Sequence, residues 1–326
     1  MSYSWGDDSD KSVRSSDEGG YDYRSARAAY KEEPTPRASS TRSSTASSRK
    51  SAYKSRIGKT AAPVGKELQS KSTHPIVVAT DVTGSMSEWP GIIFEKLPLL
   101  GKEVARYAPK HEISFAAFGD AYCDGYPLQV RDFASGETLD EHISALYPEG
   151  QGGDDPESHD LVAYYYLNHC KIDEAVKPIF ILITDVRSHT TLKASVIKKY
   201  VGDDAQSSLD SIAILKKLAE KFSVYVFLRG MGDRKFWEDI YGVQRVKPIE
   251  EPRDVVELII GTIAGELGEL KDFEMRSSKR HADKPDRVER VMKSVKSGAT
   301  EPAAGSDGKA KTTEKSGESM KSKKLV

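Results

Sequence analysis

Two stretches decide the fold: Pro75-Ile-Val-Val-Ala-Thr-Asp81 and Lys177-Pro-Ile-Phe-Ile-Leu-Ile-Thr-Asp185. Each is a short continuous apolar run that ends in an aspartate. Runs of this kind are strands buried on both faces, and residues 224–228 read as a third. Between them, apolar residues recur at helical spacing. Ile92, Ile93, Leu97, Leu100, Val104 and Tyr107 predict one helix over 87–108, with Pro90 placed early, where a helix tolerates it. Further helices are expected near 139–146, 157–170, 208–222, 236–241 and 255–270. Residues 112–118 read as a strand stopped by Gly119-Asp120. Residues 128–133 read as an antiparallel edge strand hairpinned to it, and 246–249 as an edge strand. Strands alternating with helices predict an α/β fold, a doubly wound and mostly parallel sheet flanked by helices. Ligands of such sheets bind at the carboxyl ends of the strands, where Asp81 and Asp185 both fall.

Composition sets the expected boundaries. Residues 1–74 are rich in Ser, Arg, Lys and Tyr, and residues 276–326 in Lys and Ser; both are poor in apolar side chains. Such segments bury too little apolar area to offset the entropy of ordering, which predicts disordered tails over 1–72 and 276–326. A single folded domain is then expected over 73–275. Charge divides the same way. Residues 1–74 carry 14 Lys and Arg against 9 Asp and Glu, and residues 276–326 carry 14 against 7. With a net charge of −1 for the chain, the central part carries −13. An acidic domain between two basic arms suits a cation site. Cys123 and Cys170 are the only cysteines, and no metal-type or redox-type spacing links them. The polar, acidic start MSYSWGDDSD is unlike a secretory signal, and no apolar run approaches the length of a membrane span. A cytoplasmic protein is expected.

Chemistry concentrates in Asp81-Val-Thr83-Gly-Ser85. A loop leaving a strand can turn the Asp81 carboxylate and the Thr83 and Ser85 hydroxyls toward one point, and Gly84 permits the tight path. Oxygen donors suit a hard cation, Mg²⁺ or else Mn²⁺ or Ca²⁺. Asp185 ends another buried strand and is expected to complete the set, directly or through water. Asp154 or Glu157, in Gly150-Gln-Gly-Gly-Asp-Asp155-Pro-Glu157, adds a further carboxylate. His159 and His189 flank the site in sequence and are expected to be exposed or to support the ligands, not to be ligands, and Asp120 and Asp124 read as loop acids. Two plainer readings stand beside this one. Residues 81–85 also fit a strand-to-helix turn capped by Ser85 or Ser87. Asp155-Pro156-Glu157 also fits an N-cap, a first-turn proline and an acid complementing the helix dipole.

On these residues the chain resembles the von Willebrand factor A-type domain over 73–273. Residues 81–85 are similar to its metal-ion-dependent adhesion site, an Asp followed by two spaced hydroxyl residues, with Thr83 where Ser is usual. Asp185 matches the family's later Asp at the end of the central strand. Asp154-Asp-Pro156-Glu157 is similar to the Asp-x-Pro-Glu loop in the A-type domains of integrin β-subunits, where the Glu joins the metal site. The resemblance implies a divalent-cation-dependent protein–protein interaction module, whose cation takes its last ligand from an Asp or Glu of a partner.

Other functions are less well served. A metal-assisted hydrolase or phosphotransferase is the alternative. However, phosphatases of the haloacid dehalogenase type need a second Asp where Thr83 stands, and Val82 separates Asp81 from the Thr-Gly of an aspartic protease pattern. No phosphate-cradling Gly-Lys loop is seen. Residues 34–74 hold nine Lys and Arg against one acid, Glu67. That arm reads first as a solvated linker and second as an electrostatic contact for nucleic acid or another anionic surface.

Overall fold

In a computed structural model the chain is described over residues 61–87, 89–147 and 156–298. Its strands are β1 (Leu68–Gln69), β2 (Pro75–Asp81), β3 (Glu112–Phe118), β4 (Leu128–Val130), β5 (Cys170–Lys171), β6 (Ile179–Thr184), β7 (Thr191–Leu192), β8 (Leu209–Asp210), β9 (Ser223–Arg229) and β10 (Val246–Ile249). The helices are α1 (Trp89–Glu95), α2 (Leu97–Tyr107), α3 (Thr138–Ser144), α4 (His159–Asn168), α5 (Ala194–Tyr200), α6 (Ser211–Lys221), α7 (Arg234–Tyr241), α8 (Val255–Glu266), α9 (Leu270–Arg280) and α10 (Pro285–Lys296).

Six strands form the central sheet in the order β10-β9-β6-β2-β3-β4, all parallel except β4, which runs antiparallel to β3. Every residue of β2 and of β6 is buried, as their unbroken apolar runs require. Alternate residues feed two cores. Ile76, Val78, Ile181 and Ile183 face α1, α2, α3, α8, α9 and α10. Val77, Ala79, Phe180 and Leu182 face α4, α5, α6 and α7. The sheet is doubly wound. From β2 the chain moves outward to β3 and β4, then returns past β2 to β6. The carboxyl-end loops of β2 and β6 therefore leave in opposite directions and open a crevice between them. Their register pairs Thr80 with Ile183, so Asp81 ends β2 beside Thr184.

Three expectations need correction. The helix expected over 87–108 is two helices that meet at Lys96 (φ −107°, ψ 10°). Pro98, at the second position of α2, would clash with the carbonyl four residues earlier in a continuous helix, and it has no N–H to give. The helix expected from 157 opens at His159. The domain is also longer than 73–275. At its start, β1 pairs in parallel with β5, Leu68 is fully buried, and the Tyr165 hydroxyl donates to the Lys66 carbonyl at 2.8 Å. At its end, residues 276–298 complete α9 and form α10, with Val291, Met292 and Val295 buried against α8. Lys247 of β10 donates to the carbonyls of Val295 and Ser297, holding the end of α10 to the sheet edge. The tails proper, 1–60 and 299–326, and with them Asp154, lie outside the described residues. No helix among those described is long and apolar enough to cross a membrane.

Candidate metal centre

Asp81 is fully buried. Its Oδ1 accepts from the Thr83 N–H at 2.8 Å and from the Thr83 hydroxyl at 2.6 Å. The loop turns sharply after this pair, because Gly84 takes φ +37° and residues Gly84–Met86 form a 3-10 turn containing Ser85. The Ser87 hydroxyl donates back to the Gly84 carbonyl at 3.0 Å and locks that turn. Thr83 precedes the turn in extended conformation, with no capping bond from its side chain; its hydroxyl serves Asp81.

Glu157 arrives from the other side of the crevice. It sits ahead of α4, not within its first turn, and bridges to Ser188. Its N–H donates to the Arg187 carbonyl and its carbonyl accepts from the His189 N–H, both at 3.2 Å. The following Ser158 N–H donates to the Gly119 carbonyl at 3.2 Å. Three carboxyl-edge loops, after β3, after β6 and before α4, are thus tied together by backbone. The Glu157 side chain is 5% exposed, and its Oε2 is buried with no hydrogen-bond partner. Asp185, half-buried, follows β6 on the same rim.

Asp124 belongs to this cluster, although its sequence context marks it only as a loop acid. Its Oδ2 accepts from the Asp120 N–H at 2.6 Å. A Cβ on Gly119 would lie 2.2 Å from that oxygen and 2.9 Å from Thr83 Cγ2. Only glycine at 119 leaves room for Asp124 and Thr83 where they stand. The signal available in the sequence was positional: a loop leaving β3 abuts the loop leaving β2 in this topology.

Electrostatics mark the same residues. Burial pushes the Asp81 carboxyl up to about 7, and the charges of Asp185 and Asp124 push the same way against the bonds from Thr83. Burial, followed by the charges of Asp81 and Asp124, raises Glu157 to about 9. Asp120 behaves differently. Burial would raise it, but the His189 ring at 2.8 Å and the Tyr122 N–H hold it below the usual carboxylate range. His159 is fully buried, and burial drives it down to about 3.

Among the described residues, no three His, Cys, Asp or Glu side chains are grouped closely enough to hold an ion by themselves. The described donors that face one another are two buried carboxylates, Asp81 and Glu157, and the Thr83 hydroxyl, with Asp124 and Asp185 around them. All are oxygens, the chemistry of a hard cation. A buried carboxylate oxygen without a donor costs about 1–3 kcal/mol or more, and a cation would satisfy the Glu157 Oε2. The donor set therefore fits a divalent ion. When bound, the ion would supply positive charge among these acids and a position for one further oxygen ligand.

No family model matches the chain, and no curated protein matches it. Among solved structures it is similar to the pilus adhesin SpaC from Lactobacillus rhamnosus GG in its open conformation, with 15% identity and a TM-score of 0.44. That match covers 64% of this chain and 31% of the adhesin. It is also similar to proximal thread matrix protein 1 from the mussel byssus, with 14% identity and a TM-score of 0.38, over 64% of this chain and 48% of the other. The chain spans less than half the length of either protein.

Proposed function

We propose that the chain is a divalent-cation-dependent protein–protein interaction module. Mg²⁺, or Mn²⁺ or Ca²⁺ in its place, is held at the carboxyl edge of the sheet by Asp81, Thr83 and Glu157. Ser85, Asp154 and Asp185 complete the set that the resemblance to von Willebrand factor A-type domains implies. One observation carries the reading. Asp81 and Glu157 are buried carboxylates whose charges act on one another through this crevice; among the described residues no Lys, Arg or His is paired to either, and Glu157 Oε2 is buried without a hydrogen-bond partner. Two such groups repel and lose hydration together, and a shared cation relieves both. Because Thr83 and Ser85 are neutral donors, the ion keeps positive charge to offer an Asp or Glu from a partner protein. Binding would then be a metal-bridged contact, and we read the protein as a binder, not an enzyme, acting in the cytoplasm.

Calorimetric titration of Mg²⁺ and Mn²⁺ into the full chain, beside Asp81→Ala, tests this. Saturable heat is expected from the wild type and none from the variant; equal heats would overturn the site. A pull-down run with and without EDTA then separates a metal-bridged partner, lost on chelation, from one that ignores the metal.

A further inference from the structure

The segment through which the chain enters the domain is fastened at a histidine that the cation reading does not involve. His169 directly follows α4, and both of its ring nitrogens meet carboxylates. Nδ1 lies 2.7 Å from Glu67 Oε1, and Nε2 lies 2.8 Å from Asp203 Oδ2. Glu67 immediately precedes β1, and Asp203 lies in the loop between α5 and β8. One side chain thus joins the entry segment, the end of α4 and the loop after α5. Its ring stacks on that of Tyr165, 5.3 Å between centroids and 21° from parallel. The backbone at this point is tied to the same place. The Leu68 N–H donates to the His169 carbonyl at 2.8 Å, and the Ser70 N–H donates to the Lys171 carbonyl at 3.0 Å. β1 itself is only two residues long, so a side-chain tie beside it matters.

Ionised carboxylates only accept, so closing both contacts takes a hydrogen on each ring nitrogen, which is the imidazolium. A neutral ring keeps one N–H. Its bare nitrogen then faces a carboxylate with no proton between them, and that contact opens. The two arms are unequal. Asp203 Oδ2 also takes the Tyr164 hydroxyl at 2.9 Å, and its side chain is 29% exposed against 48% for Glu67. The other partner of Glu67 is the exposed Lys171, 3.5 Å away. The last hydrogen therefore stays on Nε2, toward the better-held Asp203, and the Glu67 contact is the one that opens.

We propose that His169 is a pH-sensitive clasp on the entry segment: protonated, it closes Glu67 and Asp203 onto the end of α4, and neutral, it lets Glu67 go and loosens β1. The device is independent of the cation site and sets how firmly the basic arm is anchored where it joins the domain. Other charged groups face the cluster: Lys171 of β5, Lys198 of α5, Lys221 of α6, and Lys66 with Asp132. The Tyr164 and Tyr165 hydroxyls and the Cys170 thiol lie there too. Among these side-chain types only histidine ordinarily titrates between about pH 5 and 8. Burial, then the bond to Asp203, pushes the Tyr164 hydroxyl up to about 12, and burial pushes the Cys170 thiol up to about 12. Burial alone would lower the His169 ring, but the bonds to Asp203 and Glu67 outweigh it and hold the ring above its usual value. The folded chain then keeps this proton to higher pH than the unfolded chain does. The clasp's contribution is complete below about 6.5 and is lost as pH rises through the folded titration.

Two measurements on the full chain test it. Amide exchange is read at Leu68 and Ser70, corrected for the intrinsic rate at each pH, beside an NMR titration of the His169 ring. Protection at both amides should fall several-fold between pH 5.5 and 8.5, centred on the His169 midpoint, while that of Val78 in β2 does not follow it. His169→Gln, whose side chain does not titrate, should abolish the step. Glu67→Ala, a change at an exposed position, should lower the His169 midpoint and leave Leu68 and Ser70 at the weaker protection throughout. Protection that ignores the His169 midpoint in the wild type would overturn the proposal. So would a step that survives in either variant, or a midpoint that Glu67→Ala leaves unmoved. Loss of protection around Asp203 with Leu68 and Ser70 unchanged would place the opening on the other arm, and that too would overturn it.

Discussion

Glu157 is a carboxylate that the fold buries while leaving one of its oxygens without a donor. Nothing in its backbone is loose, since its N–H and carbonyl are both spoken for. The arrangement therefore costs the cation-free protein stability, through the desolvated charge or through the proton that neutralises it. Glu157→Gln keeps the shape and removes that burden. In EDTA its melting temperature should exceed that of the wild type by several degrees, corresponding to about 1–3 kcal/mol at about 2–4 °C per kcal/mol for a domain of this size. Mg²⁺ should then raise the melting temperature of the wild type and leave the variant unmoved. Scanning calorimetry with and without Mg²⁺ decides it; a variant less stable than the wild type in EDTA would mean that Glu157 is already satisfied. At this scale part of the site is legible in sequence. Asp81 and Asp185 end unbroken apolar runs, Thr83 is spaced from Asp81 along one turn, and Glu157 follows a glycine-rich break. Asp124 is not legible. Its place comes from contacts between loops far apart in the chain, such as the room that a glycine at 119 leaves.

Elements whose signal is local emerged from the sequence. The strands at 75–81, 112–118 and 246–249 fall where they are expected, the first because a strand buried on both faces needs a continuous apolar stretch. The end of the fold did not, because a Lys-rich surface hides a narrow apolar stripe. In α10, Val288, Val291, Met292 and Val295 recur at helical spacing, and average composition over the segment drowns them. Gly261 of α8 shows how tightly this helix docks. A Cβ there would lie 2.7 Å from the Phe273 ring and 2.8 Å from Val295 Cγ2. Ending the chain after residue 275 removes three buried apolar side chains, Val291, Met292 and Val295, and uncovers the apolar face of α8. At about 1.5–3 kcal/mol for each buried apolar side chain, such a truncation should lose on the order of 5 kcal/mol. Urea denaturation of the chain ended at 275 and of the chain ended at 298 measures it. Equal midpoints would make residues 276–298 a dispensable tail.

Across the whole molecule, charge is sorted into two kinds of burial. At the carboxyl edge Asp81 and Glu157 feel the charges of other acids. On the opposite core, where α2, α8 and α9 meet, the buried acids Glu103 and Glu257 face cations instead. Arg276 grips Glu103 through two bonds of 3.0 and 2.9 Å; Arg280 does the same for Glu257, which also takes His281 Nε2 at 2.9 Å. Burial alone would push Glu257 up, but the hydrogen bond from His281 and the charge and hydrogen bond of Arg280 outweigh it and hold the carboxyl down to about 2. The sign of its pH effect follows. The unfolded chain takes up this proton near 4.5 and the folded chain only near 2, so between those values the unfolded state binds more protons. Glu257 therefore stabilises the fold fully above about 4.5, and that contribution drains away as pH falls toward 2. The two values differ by an amount worth on the order of 3 kcal/mol. Glu257→Gln, which takes the buried carboxylate from Arg280 and His281, should be clearly less stable than the wild type at pH 6, and the gap should close by pH 2. Denaturant midpoints of both proteins at pH 6, 4, 3 and 2 trace the window, and a gap that stays constant to pH 2 would show that the Glu257 charge contributes nothing to holding α9 against α8.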